Sequence, residues 1–170
     1  MISSGELEQL YDKHGQALFA FVLNLTRDEA ETRDIIQELF RRLAARSRPL
    51  EGVRQERPFL LRLAHNLTVD FVRRRAVRAR SVEVLADETV EVFAPADGPD
   101  EQAFRSELAQ ALAELPPDQR AVVHLKLWEE LTFEEIGQAL GISPNTASSR
   151  YRYGIDKLRA RLRPLYDEIR

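Results

Sequence analysis

The chain of 170 residues contains no cysteine, which excludes disulfide bonds and sites where thiolates bind a metal. No apolar run approaches the roughly 20 residues that a membrane-spanning helix needs. The first ten residues, MISSGELEQL, lack the basic start and apolar centre of a secretory signal. These absences predict a cytoplasmic protein that does not insert into a membrane.

Residues suited to catalysis are also sparse. The three histidines, His14, His65 and His124, lie far apart and without the spacing of metal ligands. No glycine-rich phosphate-binding loop is present. His14 and His124 fall on or beside apolar stripes, where a structural histidine is the better interpretation. We therefore expect neither an enzyme nor a bound metal or cofactor.

Charge is strongly segregated, although the formal net charge is only −3. Five arginines form a cluster, Arg73, Arg74, Arg75, Arg78 and Arg80, whereas no Lys or Arg occurs from Ser81 to Glu101. The arginine cluster creates a local positive potential that can hold phosphates, although a solvated helix end is the alternative. Pro95, Gly98 and Pro99 interrupt the acidic stretch, which predicts a flexible linker over residues 81–100.

Helical periodicity on both sides of the linker predicts an all-α fold with two small helical domains, 1–80 and 101–170. In the first domain, one apolar stripe runs from Leu7 to Leu25, and the capping-box spacing of Thr26 and Glu29 predicts the start of a second helix. A loop around Pro49 and Gly52 precedes a third helix that is predicted to begin near Pro58.

The stretch LTFEEIGQALGISPNTASSR predicts a helix-turn-helix in the second domain. Thr132 and Glu135 have capping-box spacing, with Leu131 and Ile136 placed as a hydrophobic staple. Gly141 suits the left-handed residue that ends a helix. Ser143 and Pro144 suit the cap and first position of the next helix.

The second helix of this motif has two faces. The residues expected to pack inward are Ala147, Tyr151, Ile155 and Leu158. The opposite face holds the residues expected to enter the major groove of duplex DNA, Asn145, Thr146, Ser148, Ser149 and Arg152. Asn can pair with adenine and Arg with guanine in the major groove. A helical hairpin with a solvated polar face is the alternative.

Three segments, in this order, resemble a bacterial sigma factor of the sigma-70 superfamily: DIIQELFRRL, RPFLLRLAHNLTVDFVRRR and LAELPPDQRAVVHLKLWEELTFEEIGQALGISPNTASSRYRYGIDKLR. The resemblance is to the extracytoplasmic-function (ECF, group IV) type, which keeps only regions 2 and 4. It implies a region 2 helical bundle in residues 1–80 and a region 4 helix-turn-helix in residues 101–170. Each motif is weakly specific alone, and their order and spacing carry the resemblance.

The resemblance implies a protein that binds core RNA polymerase, directs it to −35 and −10 promoter elements and assists promoter melting. The implied partners are the β′ clamp coiled coil, the β flap, promoter DNA and an anti-sigma factor. Residues matching the polymerase-binding helix are Asp34, Gln37, Glu38 and Phe40. Residues matching the −10-reading helix are Phe59, Arg62, Asn66, Asp70, Arg73 and Arg74. Residues matching the −35-reading face of the recognition helix are Asn145, Thr146, Ser148, Ser149 and Arg152. The loop from Ser47 to Glu56 corresponds to one that captures a flipped base.

The chain departs from the family pattern at two places. The recognition helix has Ala147 and Ser148 where a Val and a Lys are usual, so one phosphate contact is absent. The segment ETRD, Glu31 to Asp34, replaces an acidic Asp-Ala-Glu-Asp. Phosphorylation of Thr32 by a Ser/Thr kinase would restore about −1.5 to −2 charges. Neutral variation at an exposed helix position is the alternative.

Two other classes of protein compete with this interpretation. A stand-alone helix-turn-helix regulator would bind duplex DNA specifically without polymerase, so a gel shift by the isolated protein would favour it. A helical protein that binds only other proteins would leave the arginine cluster and the polar recognition face unexplained.

Overall fold

The computed structural model describes residues 2–79 and 98–169, and this part of the chain is helical without strands. The predicted linker lies outside the described residues except for its last three, where Gly98 caps a helix. The helices are α1 (Ser4–Thr26), α2 (Glu29–Ala45), α3 (Glu56–Ala79), α4 (Pro99–Glu114), α5 (Pro117–Leu127), α6 (Phe133–Leu140) and α7 (Pro144–Ile169). The all-α prediction is confirmed.

The turn between α1 and α2 differs from the prediction that Thr26 caps the second helix. Thr26 is the last residue of α1, and Arg27 ends that helix with a left-handed backbone, φ 59°. The cap of α2 is Asp28, whose carboxylate accepts a hydrogen bond from the Glu31 amide at 2.9 Å. The carboxylate of an aspartate accepts a cap hydrogen bond as well as a threonine hydroxyl does. Because Asp28 lies two residues after Thr26, α1 can extend through Thr26.

Helices α1, α2 and α3 pack against one another around an apolar core. Phe21, Leu39, Leu60 and Leu61 are each at most 1% exposed at its centre. The apolar stripes that the sequence shows on α1 and α2 supply most of this core. Tyr11 is an exception on the predicted α1 stripe, because its ring is 56% exposed.

A buried arginine joins α4 to α5. The Arg120 guanidinium donates hydrogen bonds to the carbonyls of Leu112, Ala113 and Leu115 at 2.8–3.0 Å. These carbonyls lie at the C-terminal end of α4, where a helix lacks partners of its own for its last carbonyls. Arg120 therefore fixes the corner between the two helices.

Helix α7 packs along α4, α5 and α6 through the face predicted from its periodicity. Ala147 and Leu158 are buried, and Tyr151 and Ile155 are partly buried against the same clusters. The inward-facing side of the recognition helix is thus as predicted.

The two halves of the molecule are in direct contact. Helix α1 packs against α5, and α3 packs against α6. A single apolar cluster therefore contains Leu60 and Ala64 from α3 together with Leu131 and Ile136 from the α6 region.

Candidate nucleic-acid interface

The helix-turn-helix has the cap geometry that its sequence predicts. The Thr132 hydroxyl accepts from the Glu135 amide at 3.1 Å, and the Glu135 carboxylate accepts from the Thr132 amide at 3.0 Å. Gly141 ends α6 with a left-handed backbone, φ 69°. The Ser143 hydroxyl accepts from the Thr146 amide at 3.1 Å and caps α7. The start and end of α6 and the start of α7 are therefore fixed by local hydrogen bonds.

Gly137 sets the spacing of the turn. A Cβ atom at this position would lie 2.6 Å from the carbonyl oxygen of Ile142, closer than atoms can approach. The chain after α6 can therefore fold back tightly enough for the Ile142 amide to donate to the Gly137 carbonyl at 3.0 Å. This close approach holds α7 at a defined angle to α6.

Three of the five predicted −35-reading residues are exposed on α7. Asn145, Ser148 and Arg152 are open to solvent, whereas Ser149 and Thr146 are half-buried. The Thr146 hydroxyl also accepts a hydrogen bond from the Ser143 hydroxyl at 2.9 Å. Its first role is therefore to complete the cap, and the exposed polar face is narrower than the sequence suggests.

Arg152 has an aromatic support beside it. Its guanidinium carbon lies 5.3 Å from the centre of the Tyr153 ring, which is 54% exposed. A cation–π contact at this distance restricts the arginine side chain at small cost. The contact holds a planar donor group at the solvent face of α7, where it suits bidentate contact with a base or phosphate.

A second exposed polar face lies on α3. The predicted −10-reading residues Arg62, Asn66, Asp70, Arg73 and Arg74 are all exposed. Phe59 is only partly exposed and packs against the core. The structure therefore brings together five of the six predicted residues as a continuous solvent-facing strip.

One arginine of the cluster forms an ion pair within the protein. Arg75 donates to the Glu31 carboxylate at 2.9 Å and thereby ties α3 to α2. Burial raises the pKa of the Glu31 carboxyl, and the Arg75 charge opposes that rise. Arg73, Arg74 and Arg78 are exposed, and Arg80 lies outside the described residues. Within the described part of the cluster, these three arginines are therefore the ones open to solvent, where a phosphate could reach them.

The predicted polymerase-binding residues differ in accessibility. Asp34 and Gln37 are exposed on α2. The Glu38 carboxylate accepts hydrogen bonds from Arg41 and Arg42. These bonds, the one from Arg41 most, lower the pKa of the carboxyl to about 2. Phe40 is only 9% exposed and makes an edge contact with Tyr11, the ring centres 5.3 Å apart. Phe40 is thus a core residue in this conformation.

The predicted polymerase-binding and −10-reading faces meet at one cleft. Asp34, Glu38 and Arg42 of α2 line it on one side, and Asp70 and Arg74 of α3 line it on the other. The cleft has a volume of about 210 Å³, too small for a base pair but suited to a side chain.

Thr32 is buried, in contrast to the exposed position assumed from the sequence. It is 0% exposed, and its hydroxyl donates to the Asp28 carbonyl at 2.7 Å. The Thr26 hydroxyl lies 2.8 Å away and forms a second hydrogen bond with it. A kinase could reach this hydroxyl only after the first turn of α2 had opened.

The sequence also missed a set of polar residues at the contact between the two halves. Asn24 and Arg120 are buried, and the Arg120 guanidinium donates to the Asn24 carbonyl at 3.1 Å. Arg57 lies 3.4 Å from the buried Glu129 carboxylate. The available signal was weak: Asn24 is a polar residue within the apolar α1 stripe, and Arg120 precedes the apolar run AVVHL.

Neither a metal site nor a membrane segment is found among the described residues. Across residues 2–79 and 98–169, no three His, Asp or Glu side chains come together as metal ligands. In the same ranges, no helix is both long and apolar enough to cross a bilayer.

Two sequence families match the chain. Sigma-70 region 2 matches residues 10–78, and sigma-70 region 4 matches residues 111–160. ECF RNA polymerase sigma factor SigL of Mycobacterium tuberculosis is 32% identical over 162 residues, covering 94% of this chain and 90% of SigL. The chain belongs to the ECF sigma factors. RNA polymerase sigma factor CarQ of Myxococcus xanthus is also 32% identical, covering 95% and 92% of the two chains.

Solved structures of sigma factors share the fold. The sigma factor RpoE of Bartonella quintana, in complex with the anti-sigma factor NepR, matches with a TM-score of 0.78 and 22% identity, covering 92% of this chain and 96% of RpoE. CnrH, in complex with the cytosolic domain of CnrY, matches with a TM-score of 0.65 and 22% identity, covering 95% and 90%. In this ECF sigma factor, the region 2 match falls on helices α1–α3, and the region 4 match runs from the end of α4 through α5 and α6 into α7.

Proposed function

We propose that this ECF sigma factor acts by binding alone, bringing core RNA polymerase to promoters through two separate DNA-reading faces. The observation that supports this proposal most directly is the presence of both faces on one chain. The α7 face offers Asn145, Ser148 and Arg152, and the α3 face offers Asn66 and Arg73 among its exposed residues. One reads duplex DNA in the −35 element, and the other captures unpaired bases in the −10 element.

The exposed face of α2 is the proposed docking surface for the β′ clamp coiled coil. Asp34 and Gln37 present an acid and an amide to solvent beside the α3 face. Region 4 is the proposed partner of the β flap. The protein would act in the cytoplasm, where polymerase and promoter DNA are found. With domains at 1–80 and 101–170, each half would carry one polymerase-binding surface and one DNA-reading face.

An anti-sigma factor is the proposed means of control. The solved structures that share this fold were obtained as complexes with NepR and with the cytosolic domain of CnrY. Control by a Ser/Thr kinase at Thr32 is a second route, which would require the buried hydroxyl to become accessible first. Neither route involves catalysis by the sigma factor itself.

Abortive transcription with purified core polymerase tests this function. The full chain should initiate specifically on a subset of a promoter library, and Arg152→Ala should lose that initiation where the −35 element is required. Lys157→Ala is the matched control, because it removes an exposed positive charge from another face of α7. Failure of wild type to initiate, together with specific duplex binding by the chain alone, would instead establish a stand-alone regulator.

A further inference from the structure

The loop between α2 and α3, the predicted base-capture loop, contains two consecutive turns. The Glu51 amide donates to the Arg48 carbonyl at 3.3 Å, and the Val53 amide donates to the Leu50 carbonyl at 3.1 Å. Gly52 lies within the second turn with a left-handed backbone, φ 77°, which glycine adopts without steric cost. The middle of the loop is therefore shaped by local bonds, and its orientation depends on what holds its ends.

The C-terminal end of this loop is attached to α1. Glu56, the first residue of α3, accepts a hydrogen bond from Nζ of Lys13 at 2.9 Å and lies 3.0 Å from Nε2 of His14. These hydrogen bonds, the one from His14 most, lower the pKa of the Glu56 carboxyl. One charged carboxylate thus joins the end of the loop to a helix more than 40 residues earlier in the sequence.

His14 is the buried member of this group. Its side chain is 5% exposed, whereas the side chains of Lys13 and Glu56 are 66% and 39% exposed. A carboxylate only accepts hydrogen bonds, so Nε2 of His14 carries the proton that it donates. Nδ1 of the same ring is buried and has no hydrogen-bond partner among the described residues. Because exposed ion pairs contribute little, the bond from His14 dominates the attachment of Glu56.

A cleft lies beside this attachment, between α1 and the loop. Gln9, Leu10 and Lys13 line it from α1, Ser47 to Glu51 line it from the loop, and Glu56 lines it as well. Its volume is about 650 Å³, which lies within the roughly 300–1,000 Å³ of small-ligand pockets and could hold an unpaired base. Any movement of Glu56 relative to α1 would change the width of this cleft.

We propose that His14 is a positioning residue for base capture: through Glu56 it sets the distance between α1 and the loop, and thereby the width of the cleft that receives an unpaired base. The buried ring acts through the carboxylate and makes no contact with the base itself. The role in base capture rests on the proposed function. The attachment of the loop by His14 does not, and it can be tested without polymerase or DNA.

A nitroxide label on the loop of the isolated full chain tests the attachment. Because the chain has no cysteine, Ser47→Cys gives a single labelling site at an exposed loop position. In this background, His14→Gln places an amide nitrogen near the position of Nε2, whereas His14→Asn places it near Nδ1, out of reach of the carboxylate. Glu56→Ala removes the acceptor instead. Glu8→Ala, which removes an exposed glutamate from α1, is its matched control.

His14→Asn and Glu56→Ala should each raise the ratio of mobile to ordered label about fivefold, the factor that corresponds to the loss of one hydrogen bond. His14→Gln and Glu8→Ala should keep the ratio of wild type. Circular dichroism should show the same helix content in every variant. Equal spectra for His14→Asn and His14→Gln would overturn the proposal, because the bond to Glu56 would then make no difference to the loop.

A second measurement follows base capture in complexes with core polymerase. A fluorescent purine analogue replaces each −10 base in turn on a promoter that wild type uses, and its emission changes when the base leaves the stack. The ratio of captured to stacked base should fall about fivefold in His14→Asn and stay unchanged in His14→Gln. Equal ratios in both variants would overturn the role in base capture. If wild type opens no promoter, the proposed function fails, and the loop label still decides whether His14 holds the loop.

Discussion

The Thr32 hydroxyl lies 2.8 Å from the Thr26 hydroxyl, at the turn where α1 ends and α2 begins. Both side chains are buried, and Thr32 also donates to the carbonyl of the Asp28 cap at 2.7 Å. This small network joins the end of one helix to the start of the next. Position 32 is therefore part of the region 2 core, and any charge placed there must be accommodated inside it.

Thr32→Asp should destabilise the protein, because it places a carboxylate in this buried site and removes the hydroxyl that donates to the Asp28 carbonyl. We expect the free energy of unfolding to fall by about 3 kcal/mol or more. Thr32→Ser should cost about 1 kcal/mol, since it keeps the hydroxyl and loses one methyl group. Urea denaturation of both variants measures the difference. An aspartate variant as stable as wild type would show that the site opens easily, which would make phosphorylation plausible.

Arg33→Glu should strengthen binding to core polymerase without loss of stability. Arg33 is 62% exposed and makes only a long contact of 3.7 Å with Glu29, so little is lost with the arginine. The glutamate would restore an acidic residue on the exposed side of the ETRD segment. We expect an affinity gain of a few-fold that weakens at high salt. Arg46→Glu, an exposed arginine at the far end of α2, controls for net charge. Equal gains from both would point to net charge alone.

The sequence predicted the ends of helices correctly where nearby residues satisfy the backbone hydrogen bonds. The Thr132 and Glu135 capping box, the left-handed Gly141 and the Ser143 cap were all predicted and are all present. Each of them depends on residues three or four positions apart. The cap of α2 was assigned to Thr26 instead of Asp28, because both residues have a side-chain oxygen and periodicity does not separate them.

Tertiary contacts were predicted less well. An apolar stripe shows which face of a helix is buried, but it does not show which helix covers that face. Leu131 and Ile136 were read as a local staple, and they also pack against α3. Asn24 gave no sign that its side-chain amide nitrogen donates a hydrogen bond to His124, 100 residues away. The exposure of Thr32 was misjudged for the same reason, because the covering side chains come from another helix.

The folded state should lose stability as the solution becomes more acidic. Burial lowers the pKa of His124 to about 4 from its usual 6.5. Since the unfolded chain would take up the proton first, each pH unit below 6.5 should lower the free energy of unfolding by up to about 1.4 kcal/mol, until about pH 4. Urea denaturation of wild type should therefore give a lower free energy of unfolding at pH 5.5 than at pH 7.

Two other titratable groups at the contact between the two halves, Glu129 and Glu56, also affect how stability depends on pH. Burial raises the pKa of the Glu129 carboxyl, against the charges of Arg57 and His14. Protonation of Glu129 therefore relieves a buried charge and favours the folded state as the pH falls. Hydrogen bonds from His14 and Lys13 lower the pKa of Glu56, so that group loses its charge only at lower pH. His124→Gln should flatten the profile above pH 5.5, and an unchanged profile would assign the effect elsewhere.

Ser148→Lys should strengthen duplex binding by region 4. Ser148 is exposed on the reading face of α7, where a lysine can reach a phosphate without displacing a buried group. One added phosphate contact should steepen the slope of log K against log salt by about 0.9. Fluorescence anisotropy with a duplex, from low to high salt, measures that slope for the full chain. Ser106→Lys, which adds the same charge at an exposed position on α4, should leave the slope unchanged. If both variants steepen it equally, the gain comes from net charge, and position 148 does not face the phosphates.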